Sequence, residues 1–165
     1  MADERVWLKA YPPGVPSGIE LDPHDTLAAL LDRACSRYAP QPAFSNMGRT
    51  LSYGEFDQLT RRFAAWLQSL PDVVPGDRVA IMLPNVLQYP VALFGVWRAG
   101  LVVVNINPLY TANELGHQLN DSGAKVLVVL SQSAGTFNEI AAHTTVQHVL
   151  VTGIGDLLGA LRGPL

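Results

Sequence analysis

The hydrophobic positions of this chain change period several times, and turn-forming residues bracket each change. Met1 to Pro23 carries Pro12, Pro13, Pro16 and Pro23. Proline fixes φ and removes a backbone donor, so this stretch reads as an extended arm rather than a helix. Trp7, Leu8 and Tyr11 supply it with apolar anchors. Two placements stay open: packed on its own domain, or reaching a second subunit. From Thr26 to Tyr38, Leu27, Leu30, Leu31 and Ala34 recur at helical spacing, with Asp25 placed as N-cap and Pro40 past the end. Pro42 to Ser45 and Arg49 to Leu51 flank Asn46-Met47-Gly48 and read as a short hairpin. Ser52 to Leu70 has the strongest helical pattern. Ser52 and Glu55 have capping-box spacing, and Phe56, Leu59, Phe63, Trp66, Leu67 and Leu70 make one apolar face. Arg61 and Arg62 are expected on a solvated face.

After Pro71 the period alternates. Arg78 to Leu83 reads as a buried strand. Asn85 and Gln88 repeat the capping-box spacing before a helix through Trp97 that is apolar nearly all round. Arg98 is expected to meet the dipole at that helix's end, and Gly100 suits the left-handed position after it. Leu101 to Ile106 is a β-branched run, expected to be covered on both faces. Thr111 with Glu114 opens another helix, burying Leu115 and Leu119 and stopping near Gly123. Val126 to Leu130 is a strand, Thr136 to His143 a weaker helix, and His148 to Thr152 a strand; no period is clear from Gly153 onward. Strands alternating with helices across short loops indicate βαβ units. The predicted fold is α/β, a mostly parallel sheet flanked by helices, with an N-terminal extended arm and a short hairpin.

Composition narrows the possibilities. The chain has 165 residues, 48% hydrophobic and 15% charged, which suits one domain or part of a larger one. A net charge of -3 gives no basic face and argues against nucleic acid as a partner. Cys35 is the single cysteine, so no internal disulfide forms; a reduced thiol inside a helix fits a cytoplasmic location. The apolar stretch Tyr89 to Ile106 is broken by Pro90, Arg98, Gly100 and Asn105, so no transmembrane segment is expected. Between Leu101 and Leu161 the charged residues are Glu114, Asp121, Lys125, Glu139 and Asp156. A surface this poor in charge is expected to cover a neighbouring domain.

Candidate chemistry is sparse. No G-x-x-x-x-G-K-[ST] loop occurs. Gly153, Gly155 and Gly159 loosely resemble a dinucleotide fingerprint with one extra residue, and the chain ends before the acidic partner such a site uses. A glycine-containing turn is the reading kept. His24, His117, His143 and His148 have no metal-ligand spacing, and His117 is expected at the surface. The acid pairs Asp3-Glu4 and Asp22-Asp25 read as solvated or capping groups. Ser131 and Ser133 lack a nucleophile-elbow context. Asn107, Pro108 and Tyr110 follow a strand's carboxyl end, where open α/β sheets bind ligands, and are the substrate-side candidates. A structural turn is the competing reading for them. No catalytic, cofactor-binding or metal residue is assigned.

Several longer stretches carry a resemblance: VWLKAYPPGVP at Val6–Pro16, QPAFSNMG at Gln41–Gly48, LSYGEFDQLTRRFAAWLQ at Leu51–Gln68, GDRVAIMLPNVLQYPVALFGVWRAG at Gly76–Gly100, VVVNINPLYTANELGHQLNDSGAKVLVV at Val102–Val129, and VQHVLVTGIGD at Val146–Asp156. In order and spacing they resemble the N-terminal region of adenylate-forming acyl-CoA synthetases, most closely bacterial long-chain fatty-acid–CoA ligases. The resemblance implies activation of a fatty acid by ATP and Mg²⁺ to an acyl-adenylate and pyrophosphate, then displacement of AMP by the thiol of coenzyme A. It also implies that the phosphate loop, the ribose-binding aspartate and the adenylation lysine lie downstream of the matched region. On this reading residues 1–24 are the arm, and residues 25–165 are a truncated N-terminal subdomain of the AMP-binding domain. The isolated chain is expected to be inactive and to bind none of these cofactors tightly. Its expected partners are the missing C-terminal remainder and a second copy through the arm. The expected location is cytoplasmic, with peripheral contact at the inner face of the membrane as an alternative. A non-catalytic nucleotide- or ligand-binding α/β module is the second functional reading.

Overall fold

The computed structural model describes residues 5–20, 22 and 25–159. Asp3-Glu4, Pro23, His24 and the segment 160–165 lie outside the described residues. Four strands form one parallel sheet: β3 (Arg78–Met82), β4 (Val102–Asn105), β5 (Val126–Leu130) and β6 (His148–Thr152), in the spatial order β4-β3-β5-β6. A separate antiparallel hairpin joins β1 (Pro42–Asn46) to β2 (Arg49–Ser52). The helices are α1 (Leu27–Tyr38), α2 (Tyr53–Gln68), α3 (Gln88–Arg98), α4 (Ala112–Ser122) and the short α5 (Ala134–Asn138).

Strand parity sorts the core into two layers, because successive side chains point to opposite faces. Val79 and Ile81 of β3, with Val126, Val128 and Leu130 of β5, pack under α2 and α3. Ala80 and Met82, with Leu127 and Val129, pack under α4 and α5. A third cluster, built on Leu31, Cys35, Leu51 and Phe56, seats α1 and the hairpin against α2 and α3. Helices α2 and α3 approach closely at Gly95, where an added Cβ would lie 2.5 Å from Phe63 Cδ1 and 3.2 Å from the Thr60 carbonyl oxygen. Overpacking at such a contact costs about 1–3 kcal/mol.

Two capping boxes form as read from the sequence, Ser52 with Glu55 on α2 and Thr111 with Glu114 on α4. At the far end of α4, Gly123 takes φ 62°, and Arg78 donates from Nε to the Ser122 carbonyl at 2.8 Å and from Nη2 to that of Gly123 at 3.1 Å. A cation on the last carbonyls of a helix satisfies them and complements the dipole. Arg78 thereby ties the start of β3 to the turn that feeds β5.

Other expectations need correction. Val6–Ala10 is a 3₁₀ turn rather than extended chain, because the prolines begin only at Pro12 and leave its N–H groups free to bond three residues back. Of the three expected anchors, Trp7 and Tyr11 are 51% and 44% exposed, and Leu8 is partly buried. Thr26, not Asp25, caps α1 through the Ala29 N–H; Asp25 pairs with Arg33 instead. The hairpin turn is two residues long, and Met47 and Gly48 both adopt positive φ. No capping box opens α3, since the chain enters through a turn at Pro84–Val86 and Gln88 points elsewhere. β4 is an edge strand, with Val102 47% exposed, rather than one covered on both faces. The helix expected over 136–143 breaks into α5 and a 3₁₀ turn at Ala141–His143, where Ile140 departs from helical φ/ψ.

Candidate functional site

Strand order decides where a site can form. From β3 the chain moves outward to β4, then returns across β3 to β5 and moves outward the other way to β6. The connections diverge between β3 and β5, and open α/β sheets hold ligands outside the carboxyl ends of their strands at such a point. The residues that follow β3 and β5 there are Leu83-Pro84-Asn85 and Ser131-Gln132-Ser133. Sequence reading gave Asn85 a capping role and set Ser131 and Ser133 aside, because the order of strands in a sheet is not written in hydrophobic periodicity.

Asn107, Pro108 and Tyr110 sit one strand away, at the end of edge strand β4. They are brought together as a turn. The Asn107 side-chain oxygen accepts from the Leu109 N–H at 3.1 Å, and its carbonyl accepts from the Tyr110 N–H at 3.1 Å. Tyr110 is half-buried against the α4-side core and lines a groove of about 400 Å³ with Asn113, Glu114, His117, Gln118 and Asp121. Its hydroxyl has no hydrogen-bond partner among the described residues, whereas Tyr89 donates its hydroxyl to Asn105 Oδ1. His117 is exposed in that groove, as expected.

Gln88, read as half of a capping box, is a buried cross-link. Its Nε2 donates to the Gly153 carbonyl at 2.6 Å, joining the start of α3 to the turn after β6. In that turn the Asp156 carboxylate accepts from the Gly153 N–H at 2.8 Å and from Thr152 Oγ1 at 2.9 Å. Gly153 to Asp156 is therefore a self-contained turn. Its leading N–H is taken by the Asp156 carboxylate and so is not free to hold a phosphate.

Many of the titratable side chains pair with one another. Arg98 does not simply cap α3. Its side chain is 7% exposed and donates to Asp32 of α1 and Asp57 of α2, and Asp57 also accepts from Arg61. Arg61 bonds Asp32 as well, so half of the supposed solvated pair belongs to a three-helix ion network. Cys35 lies buried beside this network, and burial, with the nearby Asp57 charge, pushes its thiol pKa up, which makes it a poor nucleophile. At the amino ends of the strands, Lys125 Nζ donates to Asp77 at 2.8 Å and His148 Nε2 pairs with Asp72 at 2.7 Å. The Lys125 ammonium and the Val74 N–H hold the Asp77 carboxyl below the usual carboxylate range. No group of three or more His, Cys, Asp or Glu that could hold a metal ion occurs among the described residues. Asp32, Asp57, Asp72 and Asp77 are engaged by Arg, Lys or His and Asp156 by a backbone N–H, so these carboxylates do not fit a nucleotide's divalent metal.

The fold defines an open, doubly wound α/β domain whose polar groups serve its own framework. The profile of the AMP-binding enzyme family matches residues 31–162, and the chain belongs to that family. The long-chain-fatty-acid–CoA ligase of Salmonella typhimurium is 49% identical over 160 residues, 97% of this chain and 28% of that protein. The Yersinia pestis ligase is 50% identical over 162 residues, 98% of this chain and 29% of that protein. The crystal structure of a long-chain-fatty-acid–CoA ligase from Archaeoglobus fulgidus superposes with a TM-score of 0.73 at 28% identity, covering 93% of this chain and 31% of that one. The chain thus spans under a third of the length of these relatives.

The Asp77–Lys125 pair gives a pH-dependent prediction. A carboxyl with a depressed folded pKa contributes stability that is fully present above the ordinary value of about 4 and is lost as pH falls through the folded value. Asp77→Asn is expected to lower stability by about 1–2 kcal/mol at neutral pH and to reduce the acid-side loss below about pH 4. Urea midpoints at neutral and acid pH check this, and an unchanged acid limb would contradict the assignment.

Proposed function

We propose that this chain is the N-terminal framework of an ATP-dependent long-chain fatty acyl-CoA synthetase. The assembled enzyme would join a fatty acid to coenzyme A through an acyl-adenylate, releasing AMP and pyrophosphate, with Mg²⁺ on the phosphates. The observation that carries this reading is the near-50% identity, across almost the whole chain, to proteins named as long-chain-fatty-acid–CoA ligases. In it the chain supplies no reacting group. It supplies a sheet fastened at its carboxyl end by the Gln88–Gly153 cross-link and at its amino end by the Arg78–Gly123 cross-link. Preorganisation of this kind is what a reaction that runs on positioning and charge stabilisation requires of its scaffold. The partners proposed with it are the remainder of the enzyme and, through the exposed arm, a second copy. The proposed location is cytoplasmic; no helix among the described residues is long and apolar enough to cross a membrane.

The pure 165-residue chain is expected to show no fatty-acid-dependent ATP–pyrophosphate exchange. Exchange above a buffer control would overturn the framework role.

Tyr110 is the proposed substrate-side contact, since its hydroxyl, in the groove beside the post-β4 turn, has no partner among the described residues. In a full-length ligase carrying this chain as its N-terminal segment, Tyr110→Phe is expected to raise the KM for acyl chain or coenzyme A by about threefold, near the value of one neutral hydrogen bond. Unchanged Michaelis constants for both substrates would return Asn107, Pro108 and Tyr110 to a purely structural turn.

A further inference from the structure

Helix α1 is held differently from the helices it packs on. It buries Leu31 and Cys35, whereas α2 buries Phe56, Thr60, Ala64 and Leu67, and α3 buries Gln88, Val91, Ala92, Gly95 and Val96. Leu27 and Leu30, in the first turn of α1, are 49% and 55% exposed, and no residue from 5 to 20 is buried ahead of it. A cleft of about 330 Å³, lined by Ala28 and Asp32 on one side and by Arg61, Ala64 and Gln68 on the other, separates its amino half from α2. Its carboxyl end, by contrast, is fixed. The Gly54 N–H donates to the Ala39 carbonyl at 2.9 Å, and the Tyr38 and Tyr53 ring centroids lie 5.9 Å apart. A Cβ added at Gly54 would stand 3.2 Å from the Ala39 oxygen, so glycine favours this close approach. One end of α1 is therefore hinged, and the other is thinly packed.

Asp32 lies between the two ends. Its Oδ1 accepts from Arg98 Nη1 at 2.7 Å and from Arg61 Nη2 at 2.9 Å. The other acid of the network, Asp57, belongs to α2 and accepts from the same two arginines. The network is asymmetric in consequence. If α1 swings out, Arg98 and Arg61 both keep a carboxylate on the α2/α3 body. Breaking an ion pair costs most when it strands a buried charge. The Arg98 side chain, 7% exposed, is not stranded here, and Asp32, already 49% exposed, returns to water.

We propose that α1 is a hinged flap, turning about Tyr38 and Ala39 and latched by Asp32, which opens as a unit while α2, α3 and the sheet stay folded. Opening carries the arm outward and uncovers the apolar seat formed by Leu51, Phe56 and Val91, together with the Cys35 thiol. Elements held by few apolar contacts are the ones that open below the global unfolding free energy. The flap is a property of this chain's own packing and does not depend on the ligase reading.

Cys35 reports on the flap directly, since it is the chain's single cysteine and is 4% exposed in the closed state. Its labelling by a thiol reagent is followed in the 165-residue chain under native conditions, beside amide hydrogen exchange and a urea midpoint. Cys35 is expected to label at least about tenfold faster than global unfolding allows, with the α1 amides exchanging alongside it while those of α2 and α3 stay protected. Asp32→Asn is expected to raise the labelling rate about tenfold, near the effect of one hydrogen bond to a charged group, with α2 and α3 protection unchanged. Sodium chloride at about 0.5 M is expected to speed labelling of the parent chain and to leave the Asp32→Asn chain nearly unaffected, because the latch is open to screening. Asp57→Asn removes the acid that the body keeps, and is expected to expose α2 and α3 amides along with those of α1. Labelling of Cys35 no faster than the urea-derived stability permits would overturn the flap. An unchanged labelling rate in Asp32→Asn, loss of α2 and α3 protection in that variant, or an equal salt response in both chains would overturn the latch.

Discussion

Strands β3 and β5 are buried on both faces, and the rest of the molecule is arranged to keep them so. Val79, Ala80, Ile81 and Met82 are each 0% exposed, and no residue of β5 exceeds 5%. A strand pair in this position cannot be solvated anywhere along its length, so helices must lie on both sides and the connections must cross over rather than turn back. The length of α3 and α4, the lodging of Leu115 and Leu119 against one face, and the close α2–α3 contact at Gly95 all follow from that requirement. Full burial of one aliphatic side chain is worth about 1.5–3 kcal/mol, so these nine residues are a major source of stability in so short a chain.

Around this pair the polar groups act as fasteners. Arg78 holds the end of α4, Gln88 holds the turn after β6, and Arg98 gathers α1, α2 and α3 through two aspartates. Each is a long side chain spanning more than 40 residues of sequence to reach its partner. Such contacts stabilise modestly, and their larger consequence is geometric, since removing one partner strands a buried polar group. The same economy explains why the chain has little chemistry to offer. Its charged residues are few, and those near the sheet are already committed to one another.

Elements with a strong local signature were legible in the sequence. The Ser52–Glu55 and Thr111–Glu114 boxes, the turn at Gly123, and the runs of β3, β5 and β6 stand where periodicity and capping placed them. What could not be read depends on partners distant in sequence. A β-branched run such as 102–105 looks the same in a central strand and at an edge. Arg98 and Arg61 read as helix-end and surface cations because Asp32 and Asp57, which claim them, are on other helices. Gln88 occupied a capping position in sequence, while its bond runs to Gly153. The candidate site suffered most. Asn107, Pro108 and Tyr110 were found because they follow a strand, but strand order places the divergence of connections at β3 and β5.

Family membership is thus carried by a segment that spans under a third of its relatives' length and whose polar groups serve its own framework. The most direct test is a hybrid in which this chain replaces the matching N-terminal segment of the Salmonella typhimurium ligase, assayed for palmitate-dependent formation of acyl-CoA. The account predicts activity within about tenfold of the parental enzyme, because a framework exchanged at this level of identity shifts positioning by no more than a modest free energy. A folded, soluble hybrid without activity would contradict it.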